Sequence, residues 1–175
     1  MDSQLSALLE RESAELGVNL KPRFADKDIS VGLPFLPNIS AKFGGVVEIP
    51  NAFLSFLTAD EITCIWLHEV AHVKLKHFLK DLASSAVLLS IAFAATRELF
   101  GGLLFLPATF LVGFVTLYFH RRFEFEADKF AAERVSRRAM LSTLEKIRRR
   151  YREGGLIYRI SHPSLGERIR RLQND

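Results

Sequence analysis

Cysteine is nearly absent from the chain: its 175 residues include one, Cys64. A lone thiol closes no intramolecular disulfide, so no covalent staple holds the fold, and such usage suits a reducing compartment. A secretory leader is also missing from the opening residues. Residues 1–16 are polar and charged, with a helical apolar pattern in place of an uninterrupted apolar core. Charge is scarce in one place, the 38 residues from Leu82 to Phe119, where Arg97 and Glu98 are the only ionic side chains. Finally, the basic segment from Arg134 to Arg171, with twelve Arg or Lys against three Glu, has no run of interleaved aromatics and no nucleic-acid motif. No nucleic-acid partner is expected for it, and its charge reads as a solvated or membrane-facing surface.

What is present points to one domain with a sizeable core. The length fits a single domain over residues 1–175. Hydrophobic residues make up 49% and the mean hydropathy is +0.12, high values that the apolar stretch largely explains. The periodicity predicts a helix over about 3–16, and loops with short extended pieces over 18–40, punctuated by Pro22, Pro34 and Pro37. A strand is expected over 43–49 and a short helix over 52–57. Thr58 and Glu61 match a capping box, which opens a helix expected to run to about Lys80. Further helices are expected over 122–135 and 138–152. Gly154 and Gly155 then break the pattern, and a last helix holds Gly166 to Leu172. The fold class that results is α+β, mostly α, with a small sheet.

The run His68-Glu69-Val70-Ala71-His72 carries the chemistry. Residues four apart on a helix lie about 40° apart around its axis, so both imidazoles point the same way and can chelate one zinc ion. Glu69 then stands beside the metal, placed to take a proton from water as a general base. A catalytic zinc needs a third protein ligand. Position 78 is Phe and position 75 is Leu, which excludes a histidine ten residues after the first. His77 is five residues past His72, about 140° away on a continuous helix, and reads as structural. Glu124 and Glu126 are the remaining candidates. Glu124 has Asp128 one turn later on its own face, whereas Glu126 has Phe130. A ligand carboxylate with a second carboxylate behind it can both bind the ion and orient a histidine, so Glu124 is the expected ligand and Asp128 its support.

Together, the strand GGVVEIP, the run LTADEITCIWLHEVAHVKLKH, the segment RRFEFEADKFA and the tail SHPSLGERIRRL resemble a known family. It is that of the gluzincin metallopeptidases, which includes the heat-shock protease HtpX, the CAAX-type prenyl-protein endopeptidases and the archaeal minigluzincins. The resemblance spans about residues 44–172. It implies a zincin-like catalytic domain that hydrolyses peptide bonds of a polypeptide substrate with one zinc per chain. It also implies His68, His72 and Glu124 as ligands, and Glu69 as the base. His162 and Arg168 fall on the family's C-terminal motif, where they would face the substrate carbonyl or brace the site. A histidine before proline also opens turns, and an arginine also serves as an ion-pair partner. The strand with Gly45, Val46, Val47 and Glu48 would pair with extended substrate. The large prenyl-protein enzymes enclose a chamber with many spans, and this chain is too short for that. A non-catalytic zinc scaffold is the competing reading, against which the intact Glu69 stands.

The apolar stretch separates the two halves of the expected metal site. If it enters a membrane it must return, and two crossings need about 40 residues. Residues 82–119 supply 38, with Gly101 and Gly102 at the turn. Lys74, Lys76 and Lys80 precede it and Arg121 and Arg122 follow, so the base of the hairpin and the active site are expected to face the cytoplasm, where anionic lipid would attract the Arg-rich tail. The other reading is an apolar hairpin packed on the domain or lying in the interface. Nothing in the chain specifies an oligomeric state.

Overall fold

A computed structural model describes residues 2–26, 45–151, 160 and 162–175. In chain order the described elements are helix α1 (Asp2–Glu15), strands β1 (Lys21–Ala25) and β2 (Val46–Pro50), a 3-10 turn (Asn51–Ser55) and helices α2 (Ala59–Lys74), α3 (His77–Phe100), α4 (Phe105–Arg134), α5 (Arg137–Arg150) and α6 (Leu165–Asn174). The chain is mostly helical. β1 and β2 pair in parallel, Lys21 opposite Val46 and Ala25 opposite Pro50. The first residues of the expected strand, the prolines at 34 and 37 and the Gly154–Gly155 break lie outside the described residues.

α2 is the centre of the molecule. The reciprocal cap forms: the Glu61 amide donates to the Thr58 hydroxyl, and the Thr58 amide donates to Glu61 Oε2 at 2.7 Å. From Glu61 to Ala71 every residue of α2 is buried. A helix covered on all sides needs partners on all sides. α1 supplies Leu5 and Leu9; α5 supplies Met140, Leu144 and Ile147; α6 supplies Leu165, Ile169 and Leu172, all joined with Trp66 and Leu67 in one core. The buried set of α5, with Thr143, follows the i, i+3, i+4, i+7 spacing of an amphipathic helix. Glu61, also buried, keeps its charge through Lys146 at 2.8 Å and Ser142 at 2.6 Å.

The helix expected to reach Lys80 stops at Lys74. Lys76 takes a left-handed conformation (φ 55°), a strained choice for a side-chain-bearing residue, and α3 starts afresh at His77. The expected 52–57 helix is a single 3-10 turn over Asn51–Ser55. The expected helix at 122–135 is the distal part of the 30-residue α4, because nothing between Phe105 and Arg134 breaks it. Pro107 falls in its first turn, where amides have no intrahelical acceptor to lose. Between α3 and α4, Gly101 and Gly102 both have positive φ (58° and 86°), which suits glycine at the hairpin tip.

α3 and α4 pack on each other, with Ser85 and Thr116 hydroxyls 3.2 Å apart and Phe93 edge-on to Phe105. They do not pack their outer faces on the domain. Leu82, Val87, Ile91, Leu99, Leu106, Phe110 and Phe114 are all more than half exposed. Among the described residues, one helix, His77–Leu99, is long and apolar enough to cross a membrane by length and composition.

Candidate metal centre

α2 and α4 bring the two halves of the predicted site together. Nε2 of His68 and Nε2 of His72 are 3.2 Å apart. Glu124 meets both, Oε2 at 3.6 Å from His68 Nε2 and Oε1 at 3.5 Å from His72 Nε2. Donors bound tetrahedrally to one zinc at about 2.0–2.1 Å sit about 3.3 Å apart, so the two imidazoles and the carboxylate have ligand spacing.

The outer nitrogens fix which ring atoms carry protons. His68 Nδ1 lies 2.9 Å from Asp128 Oδ1 and donates its hydrogen there, leaving the Nε2 lone pair turned inward. His72 is oriented by a longer relay. Its Nδ1 is 3.0 Å from Nδ1 of His77, whose Nε2 is 3.2 Å from Glu126 Oε2. With His77 donating to Glu126, His72 Nδ1–H donates to His77, and His72 Nε2 also presents a lone pair. Two acceptor nitrogens facing each other at hydrogen-bond distance repel unless a cation lies between them. Buried Oε2 of Glu124 has no hydrogen-bond partner, nor has buried Oε2 of Glu69. The residues present therefore fit a metal ion.

Charge balance argues the same way. Glu69, Glu124 and Asp128 are buried with Arg168 as the buried guanidinium beside them. Three carboxylates against one cation leave two negative charges when Glu69 is ionised, which a divalent ion offsets. Burial pushes Glu69 up to about 7, Glu124 adding to the rise while His68 and Arg168 oppose it. Burial would raise Asp128 too, but Arg168 and His68 overcome it and hold that carboxyl below its ordinary range. His68 is drawn down by burial, yet the bond to Asp128 and the nearby carboxylates leave it above its usual value. Burial, then the other imidazoles and Arg168, drives His72 well below its usual value, so it stays neutral as a ligand must.

Arg168, from α6, is 2% exposed and bonds both oxygens of Asp128, Nε to Oδ2 at 2.7 Å and Nη2 to Oδ1. Its Nη1 lies 3.5 Å from Glu124 Oε2. The guanidinium thus braces the carboxylates of α4. His162 is buried, with Nε2 at 3.2 Å from Nε2 of His120, and Arg121 Nη1 donates to its carbonyl at 3.0 Å. β2 is described through its partner strand: Lys21 N donates to Gly45 O at 2.8 Å, and Arg23 and Glu48 form an ion pair at 3.8 Å. Cys64 is buried and pushed up to about 12, chiefly by burial, which makes it inert as a nucleophile.

Two residues escaped the sequence reading. His77 was placed on the far side of a continuous helix, but the break at Lys76 swings it back onto His72, with Phe123 stacked on it at 4.5 Å. His120 had a legible signal, since His120, Glu124 and Asp128 form an i, i+4, i+8 stripe on one helix face.

Comparison with known proteins bears on this geometry. The sequence model of a family described as peptidase family M48 matches residues 4–175. The chain is similar to Protease HtpX of Pasteurella multocida (strain Pm70), 25% identical over 169 residues that take in 76% of this chain and 59% of that protein. It is also similar to Protease HtpX of Vibrio atlanticus (strain LGP32), 24% identical over 196 residues, 85% of this chain and 68% of the relative. The chain thus spans about three-fifths of the Pasteurella protein's length.

Proposed function

The chain belongs to peptidase family M48, and from that premise we propose that it is a zinc-dependent endopeptidase acting on polypeptides, anchored in a membrane by its apolar hairpin. The observation that carries this reading is the convergence of His68 Nε2, His72 Nε2 and the Glu124 carboxylate, with buried Glu69 next to His68 in the same helix.

In this reading His68, His72 and Glu124 hold one zinc ion in a zincin-like domain formed by residues 1–175. Once bound, zinc polarises the scissile carbonyl and lowers the pKa of water toward neutrality. Glu69 removes the proton from the attacking water. Burial makes the Glu69 carboxylate more basic in the metal-free fold, and once protonated it can return the proton to the leaving amine. Asp128 holds the His68 ring, the His77–Glu126 pair holds His72, and Arg168 acts as a positioning residue behind Asp128 and Glu124. His162 lies at the neighbouring end of the cluster, where with one ion bound, at His68, His72 and Glu124, it can face the substrate carbonyl. The strand with Gly45, Val46, Val47 and Glu48 is the segment an extended substrate would line against by β-addition. The Gly45 carbonyl is already taken by Lys21, so substrate pairing uses other groups of that strand.

The membrane part rests on where the apolar surface lies. α3 contains 24 residues, about 36 Å at 1.5 Å per residue, against a hydrocarbon core of about 30 Å. The outward faces of α3 and α4 bear leucine, isoleucine and phenylalanine that the domain leaves uncovered. In this reading residues 82–119 are the inserted hairpin, the lysines and arginines at its base favour a metal centre on the cytoplasmic side, and the Arg-rich tail is drawn to anionic lipid. The test is metal content and casein cleavage for the wild type and Glu69→Ala in matched detergent. Zinc in both with cleavage by the wild type alone is expected; equal cleavage by the two proteins would discard the enzyme reading.

A further inference from the structure

We propose that His120, His162 and Glu124 form a second divalent-metal position, adjoining the first and sharing the Glu124 carboxylate with it. The inference deepens the metallopeptidase reading and rests on it for the role of Glu124. The three side chains each offer a ligand atom, and these atoms lie within 4.8 Å of one another. His162 and Glu124 are buried, and His120 is partly exposed at the rim.

The second group repeats the construction of the first. Nε2 of His120 faces Nε2 of His162 at 3.2 Å, the separation found between His68 and His72. A carboxylate stands behind each inward-facing pair: Asp128 Oδ1 at 2.9 Å from His68 Nδ1, and Asp81 Oδ2 at 4.0 Å from His120 Nδ1. His162 is held from its backbone, where Arg121 donates to its carbonyl while pairing with Glu167 at 2.8 Å. The histidines come from α4 and from the turn before α6, so two separate elements converge on Glu124.

Two neutral imidazoles can share a single hydrogen at 3.2 Å, which would account for the pair alone. The nearby carboxylate is what that account leaves over. An ionised carboxylate has two oxygens and about four acceptor positions, enough for Glu124 to serve the first position and still offer a lone pair toward His120 and His162. Hydrolases with paired ions hold them about 3.5–4 Å apart, a separation that one carboxylate can bridge. Imidazole donors with a single carboxylate select zinc or a similar transition ion over magnesium or calcium.

The two positions differ in strength. The contrast lies at one ring of each pair: Asp128 holds His68 Nδ1 at 2.9 Å, whereas Asp81 stands 4.0 Å from His120 Nδ1 and that ring opens to solvent. Loss of such orienting contacts costs about 10- to 100-fold in affinity, so the second position fills after the first, at free zinc higher by about that factor.

The experiment counts ions. The full chain in detergent, stripped with a chelator, is equilibrated with buffered zinc and analysed by atomic emission, with cobalt(II) absorption as a second readout. Wild type is expected to bind two ions per chain, His68→Ala one, His120→Gln one and Glu124→Ala neither tightly. His120→Asp restores a ligand and is expected to bind two, which separates loss of a donor from loss of fold. One ion in the wild type, abolished by His68→Ala and kept in His120→Gln, would overturn the second position and leave the metallopeptidase reading intact. One ion kept in His68→Ala and lost in His120→Gln would uphold the second position and remove the first. Two ions in both wild type and His120→Gln would also overturn the assignment.

Discussion

Glu69→Gln separates the chemical demand on Glu69 from its cost to the fold. The side chain is buried in α2 with one carboxylate oxygen lacking a hydrogen bond, and its ionisation is pushed from the ordinary 4.5 up to about 7. At about 1.4 kcal/mol for each pH unit, keeping this carboxylate charged in the metal-free fold costs about 3 kcal/mol at pH 8. The sign follows from proton uptake. Between about 4.5 and 7 the folded state binds the proton and the unfolded state does not. The stabilisation is therefore fully present below about 4.5 and is lost as pH rises through about 7. Glutamine stays neutral throughout, so the metal-free variant should match wild type near pH 4.5 and exceed it by up to about 3 kcal/mol at pH 8. The upper figure is a ceiling because the amide brings an N–H of its own to satisfy. In a chain of this size that gain corresponds to a melting point higher by roughly 6–12 °C. Metal-free protein of both sequences would be melted across pH 4.5–8 with circular dichroism, and casein cleavage read on the zinc-loaded forms. A stability difference that stays flat with pH would refute the burial argument; a variant that cleaves like the wild type would refute the general-base role.

Other expectations follow from the same contacts. Glu124→Ala should abolish tight zinc binding, Glu126→Ala should keep it, and Asp128→Ala should weaken it about 10- to 100-fold by freeing the His68 ring, as metal-competition titration would measure. Were Glu126→Ala the damaging change, the ligand register on α4 would be wrong. Arg168→Ala leaves Asp128 and Glu124 buried without their cation and should cost about 3–5 kcal/mol in denaturant unfolding of the metal-free protein; a loss under 1 kcal/mol would show that the guanidinium is not bracing the carboxylates. Thr58→Ala removes the cap of α2 and should cost about 1 kcal/mol in the same assay, with no change in zinc affinity. The hairpin should resist carbonate extraction, and a cysteine placed at position 101 should be labelled only from the side of the membrane opposite the metal centre. Soluble protein after carbonate, or labelling from the same side, would contradict a spanning hairpin.

The parts legible in the sequence are those set by local spacing. The Thr58–Glu61 cap, the paired histidines of α2, the Glu124–Asp128 stripe and the glycine pair at the hairpin tip each lie within a few residues of chain. Helical geometry alone relates their members. The amphipathic faces of α5 and α6 were readable for the same reason. Contacts between distant segments were not. The choice of Arg168 as the brace of Asp128, and the meeting of His120 with His162, join residues 40 and 42 positions apart, a relation no periodicity encodes. His77 shows how a local rule fails. Its predicted angle assumed that the helix continued, whereas the left-handed residue Lys76 interrupts the helix and brings His77 to His72 and Glu126. Whether a helix breaks at one lysine depends on what both halves gain by packing. Here α2 is buried in the core while α3 leaves along an apolar hairpin, and those demands act through the folded chain, beyond the reach of neighbouring residues.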